Sequence, residues 1–222
     1  MEPSKTPHSE AALPDHFETV AQDMLDYAAH DSGVWMDLGS GNGGLGIQIA
    51  TQLSRIVMCF VDPDEGALEE ALLRARQRDI AQRAVAVVGT AEALPLPKDS
   101  VDVVVSRGSI FFWKDRSLGL REVYRVLRPG GKAMIGGGLG ARYPRWARQE
   151  FIRRQRNSQQ RASAEEKEAF ALARQPETFR QLAREAGLTC FEVTGEGGLS
   201  PDDPDTGVGI WLLFGKEKTS DR

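Results

Sequence analysis

The sequence predicts an α/β fold: a doubly wound, seven-stranded sheet that is mostly parallel, with an antiparallel last strand and helices on both faces. Three observations predict it. Strand-like and helix-like segments alternate over residues 34–140. The strand-like segments are near-continuous apolar runs, as expected of strands buried on both faces of a parallel sheet. The last two strand-like segments are separated by a turn-rich stretch and can pair antiparallel.

Length and composition favour a single domain, residues 1–222, that is long enough to bury a sizeable core. No apolar run reaches about 18 residues and the N-terminal residues are polar, so we expect a soluble, cytoplasmic protein. Cys59 and Cys190 lie far apart in apolar, strand-like contexts, which favours two buried thiols and no metal site. The formal net charge of −4 argues against a general nucleic-acid binder.

The elements are expected in a regular order after a disordered tail at residues 1–12. Residues 13–33 are predicted to hold an N-terminal helix, because apolar residues recur there at a helical spacing: Leu13, Phe17, Val20, Met24 and Leu25. Strands are predicted at 34–38, 56–62, 84–88, 101–106 and 132–138, and helices at 44–53, 67–78 and 118–127. Residues 175–217 are predicted to form a closing helix and two strands, at 189–195 and 208–216.

Residues 141–174 interrupt this rhythm with a stretch rich in Arg, Gln and Glu that predicts one or two inserted helices. Seven arginines lie between Arg142 and Arg161, and Glu150 is the one acid among them. One interpretation is a solvated helical face whose aromatic residues turn inward. The other is a mobile lid that attracts an anionic substrate, because the segment follows a strand whose carboxyl end borders the predicted site.

The stretch VWMDLGSGNGGLG, residues 34–46, places a glycine-rich turn directly behind a buried strand. Glycines such as Gly39, Gly41 and Gly43 let the backbone turn sharply and approach a ligand closely. Open α/β sheets bind ligands outside the carboxyl ends of their strands, at the point where the strand order reverses. An ordinary strand-to-helix turn is the alternative, but it needs only one or two glycines. The turn is therefore a candidate ligand site.

Asp37 helps to distinguish between the candidate ligands. Gly39, Gly41 and Gly44 satisfy the G-x-G-x-x-G pattern, which by itself is a weak signal for a dinucleotide. A carboxylate two residues before the first glycine would repel a pyrophosphate but suits a positively charged ligand. S-adenosylmethionine carries an ammonium and a sulfonium and has no phosphate. Asp62, at the end of the second strand, can accept hydrogen bonds from ribose hydroxyls and fits either cofactor.

Four segments in this order resemble the motifs of the class I S-adenosylmethionine-dependent methyltransferases of the small-molecule type. They are MDLGSGNGG, CFVD, GTAEALPLPKDSVDVVVSR and REVYRVLRPGGKAMI. The resemblance spans residues 13–138 and, in its helix-strand-strand ending, residues 176–216. It implies a Rossmann-like fold in which residues 34–140 form the cofactor-binding core.

By this resemblance, the backbone around Gly39–Gly41 holds the methionine part of the cofactor, Asp37 supports the loop and the ammonium, and Asp62 binds the ribose. Further cofactor contacts are expected from Ser40, Gly43, Pro63, Thr90, Ala91, Glu92, Ser106 and Arg107. The usual family pattern at the adenine site is G-D-A-E, whereas this chain has Gly89-Thr90-Ala91-Glu92. A threonine hydroxyl is a weaker acceptor than a carboxylate, which makes Glu92 a candidate replacement for the missing aspartate.

Methyl transfer from a sulfonium is an in-line displacement, so an enzyme can act mainly by proximity and orientation. The catalytic residue stays unassigned, with His16 as a weak candidate base against a surface histidine. Trp113, Tyr143 and Arg107 are candidate substrate contacts. Phe111, Phe112 and Trp113 either line a pocket or pack beneath the next helix, and Arg107 either binds an anionic group or forms a structural ion pair.

The sequence therefore predicts transfer of a methyl group from S-adenosyl-L-methionine to a small organic acceptor, anionic or aromatic, with no membrane or nucleic-acid partner. Two alternatives stay open. One is a nicotinamide-dependent oxidoreductase, which Asp37 disfavours. The other is a catalytically silent S-adenosylmethionine-binding regulator that docks an acidic protein through its arginines. Acceptor identity, the methylated atom and the oligomeric state are left open.

Overall fold

A computed structural model describes residues 12–159, 163, 171, 175–196 and 209–218. Most of the predicted N-terminal tail, most of residues 160–174 and the turn-rich stretch 197–208 lie outside the described residues. Within the described part, seven strands form one sheet in the order β3-β2-β1-β4-β5-β7-β6. The strands are β1 Ser32–Leu38, β2 Arg55–Asp62, β3 Ala84–Val88, β4 Val101–Arg107, β5 Leu127–Gly137, β6 Phe191–Thr194 and β7 Ile210–Gly215.

The first five strands run parallel, and β7 is antiparallel to both β5 and β6. The predicted sheet, with its antiparallel last strand, is therefore confirmed. The strand order reverses between β1 and β4, which pair directly, with Asp37 opposite Val105. Open α/β sheets bind ligands at this kind of reversal, next to the carboxyl ends of the strands.

Helices cover both faces of the sheet. They are α1 His16–Ala28, α2 Gly44–Gln52, α3 Glu65–Gln77, α4 Arg116–Val126, α5 Arg145–Gln159 and α6 Pro176–Glu185. On one face, α4 and α6 contribute Leu120 and Phe179 to a core that includes Val104. On the other face, α1, α2 and α3 pack over a core that includes Trp35 and Phe60.

Aspartates fix the starts of three helices, as favourable N-caps do. Asp15 accepts a hydrogen bond from Phe17 N at 2.9 Å, and Asp115 accepts one from Leu118 N at 2.9 Å. Asp64 caps α3 in the same way, through Ala67 N at 3.2 Å. Helix α2 differs because its N-cap is a glycine, Gly43, whose backbone is left-handed at φ 77°. The glycine-rich loop therefore leads directly into the first turn of α2.

The N-terminal helix is shorter than predicted. It spans His16–Ala28, because Asp15 caps its start and Ala29 ends it in a left-handed conformation at φ 52°. The last residues of the predicted helix already belong to β1, where Ser32 pairs with Arg55. Leu13 precedes the helix and packs against a separate small cluster, described below.

Two other expectations need correction. Strand β5 begins at Leu127 rather than at residue 132, because Leu127 already pairs with Val101 before a register shift in the ladder. Cys190 is exposed rather than buried, since it lies in the turn before the edge strand β6, whereas Cys59 is buried as predicted. Within the described residues, no helix combines the length and hydropathy needed to cross a membrane.

Candidate functional site

A cavity of about 800 Å³ opens beside the carboxyl ends of β1, β2 and β4. Most of the residues predicted to bind the cofactor line it: Gly39, Gly41, Asp62, Pro63, Thr90, Ala91, Glu92 and Arg107. Asp37, Ser40, Gly43 and Ser106 lie behind this lining. Of the candidate substrate contacts, Arg107 and Trp113 line the cavity and Tyr143 does not.

The loop after β1 is tied to the end of β2. Gly39 N donates a hydrogen bond to Val61 O at 2.7 Å, and Ser40 N donates to the same oxygen at 3.2 Å. Gly39 has a φ of 68°, and a Cβ built there would overlap the side chain of Ser109. Only glycine fits this position, because both the conformation and the space exclude a side chain. At Gly39 the cavity is therefore lined by backbone atoms alone.

Asp62 joins the two loops that flank the cavity. Its Oδ2 accepts a hydrogen bond from Gly41 N at 2.8 Å, and its Oδ1 accepts one from Asp64 N at 3.0 Å. A carboxylate oxygen can accept more than one hydrogen bond. Asp62 can therefore hold the loops and still accept hydrogen bonds from a pair of ligand hydroxyls.

Asp37 lies behind the glycine-rich loop and is only 2 % exposed. Its Oδ2 accepts a hydrogen bond from Gly46 N at 2.8 Å, in the first turn of α2. Burial raises its pKa to about 7, although the bond from Gly46 acts in the opposite direction. The predicted support of the loop fits this contact. The predicted interaction with a ligand ammonium stays a prediction.

Glu92 lines the cavity and is held there by backbone amides. Its Oε1 accepts hydrogen bonds from Lys114 N at 2.6 Å and from Asp115 N at 3.2 Å. Desolvation acts to raise its pKa, but hydrogen bonds from backbone amides and from the Thr90 side chain lower it overall. Glu92 is therefore an ionised acceptor whose position is fixed by three neighbours.

Trp113 lies beside Ala91, since both pack on Gly119. A Cβ built at Gly119 would lie 2.5 Å from the Trp113 ring and 3.3 Å from the Ala91 Cβ. The ring therefore belongs to the end of the cavity where the resemblance places adenine. The two neighbouring aromatic residues have different surroundings. Phe111 packs on Phe179 with ring centroids 6.2 Å apart, whereas Phe112 lines the cavity and is 86 % exposed.

Ser109 is a site residue that the sequence reasoning missed. Its hydroxyl donates to Leu38 O at 3.0 Å, accepts from Trp113 Nε1 at 3.1 Å, and lies 2.6 Å from the hydroxyl of the buried Ser106. Ser106 does not line the cavity itself, but its hydroxyl contacts Ser109, which does. Gly108, left-handed at φ 86°, turns the chain so that Ser109 comes back toward β1. In the sequence, Gly108 could have indicated this turn.

Arg107 is the last residue of β4 and lines the cavity. Its Nε donates to Gly138 O at 2.8 Å, and its guanidinium carbon lies 5.2 Å from the centre of the Phe17 ring. Next to Phe17, burial and then the charge of Arg107 lower the pKa of His16 to about 4. His16 is thus neutral at physiological pH, and its role as a base stays a prediction.

The described part of the inserted segment, residues 141–159, does not line the cavity. Tyr143 is buried and its hydroxyl donates to Pro14 O at 3.1 Å. Leu139, Tyr143 and Ala147 form a small third core, and the residues packed against it are Leu13, Trp146 and Phe151. Helix α5 is therefore attached to the segment that precedes α1.

Partners are described for four arginines of the inserted segment. Arg142 pairs with Asp23 and Asp26, Arg148 binds Gly140 O and pairs with Glu196, and Arg153 and Arg154 both bind Glu150. Their charges are therefore largely compensated, which favours a structural role for these four. The side chains of Arg156 and Arg161 lie outside the described part of the chain. A lid over residues 141–174 stays a prediction.

Metal ligands do not gather at this site. Within the described residues, no group of three or more His, Cys, Asp or Glu side chains is arranged to hold a metal ion.

The central part of the chain matches a known family. Residues 36–135 match the family described as a methyltransferase domain. This stretch begins within β1, contains the glycine-rich loop, Asp62 and strands β2 to β4, and ends within β5. The match therefore covers the elements that build the cavity.

Named relatives and a solved structure agree with this match. A chloroplastic 2-methyl-6-phytyl-1,4-hydroquinone methyltransferase of Arabidopsis thaliana is 35 % identical over 59 % of this chain and 38 % of its own. The 27-O-demethylrifamycin SV methyltransferase of Amycolatopsis mediterranei is 36 % identical over 46 % of this chain and 37 % of its own. The chain thus spans less than two fifths of these relatives.

Among solved structures, a putative S-adenosyl-L-methionine-dependent methyltransferase of Methanococcus maripaludis superposes with a TM-score of 0.73. The alignment covers 100 % of both chains at 24 % identity. At that identity the superposition establishes the fold, which extends over the whole chain.

Proposed function

We propose that the chain is a class I S-adenosylmethionine-dependent methyltransferase that transfers a methyl group from S-adenosyl-L-methionine to a small organic acceptor, and the methyltransferase-domain match over residues 36–135 supports this. The observation that carries the proposal is the pairing of Asp62 with Gly41 N across the cavity floor. It joins a ribose-binding carboxylate to a backbone loop that leaves room for an amino-acid group.

The residues present fit this cofactor along the cavity. Asp62 would accept the ribose hydroxyls, and Pro63, Ala91 and Trp113, which also line the cavity, would take the adenine. Glu92 would offer the adenine an ionised acceptor. The methionine part would lie at the bare backbone of Gly39 and Gly41. Asp37, Ser40, Gly43 and Ser106 would act from behind, by holding the loop and Ser109.

Methyl transfer from a sulfonium needs few side chains that take part in the reaction itself. When bound, S-adenosylmethionine supplies an electrophilic methyl group on a positively charged sulfur. The protein's share is to align the acceptor with that methyl and to keep water away, which together can remove much of the barrier. His16 is neutral and partly buried close to Arg107, which leaves it available for proton transfer only if the acceptor approaches α1.

The acceptor is proposed to be anionic or aromatic. Arg107 and Lys114 line the cavity as cations, and Phe112 and Trp113 line it as aromatic rings. Guanidinium groups match planar anions, and exposed aromatic rings stack on flat ligands. The relatives are named for a hydroquinone and for a demethylrifamycin, which fits a small organic acceptor. The cytoplasm is the proposed compartment, where an exposed unpaired thiol such as Cys190 stays reduced.

Binding and turnover test the proposal in two steps. S-adenosylhomocysteine should bind and raise the melting temperature, because a ligand that binds the folded state stabilises it. Stabilisation by NAD(H) or NADP(H) without any by S-adenosylhomocysteine would instead identify an oxidoreductase. Transfer of labelled methyl from S-adenosylmethionine into compounds of a metabolite extract then separates an enzyme from a silent binder.

A further inference from the structure

Strand β3 forms one end of the sheet, and its outer edge has no partner strand within the described part of the chain. Its sequence is AVAVV, and Val85 and Val88 are 46 % and 53 % exposed. Natural edge strands often carry charges or prolines that prevent pairing with another chain, and β3 has neither. At the other end of the sheet, β6 has the exposed Glu192 among its four residues. We infer that two copies of this chain pair through β3 and form a two-fold dimer.

Backbone groups of β3 are available for this pairing. Gly89 N, directly after the strand, donates to Asp62 O at 3.1 Å, on the side of β2. The N–H groups of successive residues in a strand point to opposite sides, so those of Ala86 and Val88 lie on the outer side. A second copy of β3 supplies hydrogen-bond partners for them.

A two-fold axis perpendicular to the sheet at Ala86 gives the pairing a defined register. Ala86 then lies opposite the partner's Ala86, and Val88 lies opposite the partner's Ala84. On the other face of the sheet, Val85 lies opposite the partner's Val87. Opposite residues of an antiparallel pair share a face and contact each other. Each exposed valine of β3 therefore meets an apolar residue of the second copy.

Helix α3 carries a stripe of residues that faces past the same edge. The stripe follows the helical spacing i, i+3, i+4, i+7 and consists of Glu69, Leu72, Leu73 and Arg76. On the other flank of the helix, Glu70 and Arg74 contact Asn42, in the loop after β1. The buried side of α3 lies between these two flanks. Since β1 lies on the inner side of β2 and β3, the stripe faces outward, beyond the edge strand.

The charges of the stripe are complementary to those of a second copy. Leu73 is 53 % exposed, and within the described residues the side chains of Glu69 and Arg76 have no ion-pair partner. Helix α3 starts at the carboxyl end of β2 and runs back along β3, so the middle of the stripe lies near the level of Ala86.

The axis that pairs the two β3 strands also sets the two α3 helices side by side and antiparallel. Leu73 of each copy then lies near the axis, and Glu69 of each copy faces the partner's Arg76. Such reciprocal contacts are the mark of a two-fold interface. A second copy of this chain therefore fits both the edge strand and the helix beside it.

The oligomeric state of the full chain is the first test. Sedimentation equilibrium should give the mass of two chains at high concentration and a measurable dissociation constant for the dimer. Hydrogen exchange then locates the interface. The amides of Ala86 and Val88 should exchange more slowly as the protein concentration rises, whereas that of Val87, which faces β2, should not change.

Charge reversal tests the contact between the helices. Glu69→Arg turns two favourable contacts into two repulsive ones and should raise the dimer dissociation constant about tenfold or more. Arg76→Glu should have the same effect. The double variant Glu69→Arg/Arg76→Glu exchanges the charges and should restore the wild-type value. Glu192→Arg, the same reversal at the other end of the sheet, is the matched control and should change nothing.

The possible results separate clearly. A wild type that stays monomeric at every soluble concentration overturns the inference, as does a dimer in which the exchange of Ala86 and Val88 does not depend on concentration. A dissociation constant that Glu69→Arg leaves unchanged, that Glu192→Arg raises equally, or that the double variant does not restore also overturns it. If a reversal does not fold, Leu73→Lys, at an exposed position near the axis, takes its place. The inference does not rest on the proposed function, so a failure to bind S-adenosylhomocysteine leaves it standing.

Discussion

The Asp62 carboxylate accepts a hydrogen bond from Gly41 N at 2.8 Å, although 21 residues separate the two along the chain. This bond connects the end of β2 to the loop after β1, so the group proposed to bind the ribose also shapes the loop proposed to bind the methionine part. The two halves of the cofactor site are therefore coupled through one side chain.

Replacing Asp62 by Ala is expected to weaken binding of S-adenosylhomocysteine by roughly ten- to a hundredfold, because hydrogen bonds to a charged acceptor are lost. Titration calorimetry measures the dissociation constant. Asp64→Ala is the control: Asp64 caps α3, so its loss should lower the free energy of unfolding by about 1 kcal/mol and leave binding nearly unchanged. An unchanged dissociation constant in folded Asp62→Ala would place the ribose elsewhere.

Replacing Thr90 by Asp is expected to weaken binding severalfold, although the change restores the usual family pattern. The Thr90 side chain donates to Glu92, so an aspartate would remove a donor and put a second negative charge beside that carboxylate. Thr90→Asn keeps a neutral donor and should bind S-adenosylhomocysteine much as the wild type does. Tighter binding by Thr90→Asp would show that Glu92 does not substitute for the aspartate.

Asp37 is expected to make the ligand-free protein less stable as pH rises from about 4 to about 7. Burial raises its pKa from 3.8 to about 7 in the folded state, so the folded protein binds the proton more tightly than the unfolded chain does. The stabilisation is complete below the unfolded pKa and is lost as pH rises through the folded one. Denaturant unfolding at several pH values measures the free energy.

Asp37→Asn cannot ionise, and its side-chain oxygen can still accept the bond from Gly46 N. We expect a flatter dependence of the free energy of unfolding on pH in this variant. Asp31→Asn, at an exposed carboxylate paired with Arg55, is the control that should keep the wild-type slope. Parallel curves for the wild type and Asp37→Asn would contradict the role assigned to burial.

The pKa of His16 is expected near 4 by NMR titration, because the ring is partly buried and lies close to Arg107. Arg107→Met should raise this pKa, since one of the two effects that lower it is removed. His8 and His30 serve as internal references in the same spectra. A His16 pKa that stays the same in Arg107→Met would mean that the guanidinium does not rest beside α1 in solution.

The order of strands and helices, and most of the residues that line the cavity, could be predicted because their signals are local in the sequence. Apolar runs mark the strands, and Gly39, Gly41 and Asp62 each sit at a strand end that the pattern itself locates. Contacts between distant segments left no such signal. Leu13 follows the helical spacing of α1, yet it leaves the helix to pack with Tyr143, far along the chain.

The same limit applies to side-chain networks. The Ser109 hydroxyl makes its several contacts only because Gly108 turns the chain toward Leu38. No rule of sequence spacing predicts that Ser109 and Leu38 come together. Arg142 and Arg148 looked available for a ligand because their partners come from other elements: Asp23 belongs to α1, and Glu196 follows β6. Charge counts along one segment miss such compensation.

The third core, built on Leu139, Tyr143 and Ala147, is much smaller than the two cores that flank the sheet. Small clusters of buried contacts give low local opening free energies, so the part of α5 nearest Tyr143 should exchange its amide protons through sub-global openings while the sheet stays protected. Opening of that unit would free the segment before α1 without unfolding either large core. The segment before α1 would then detach at a rate set by this local opening and not by unfolding of the whole protein.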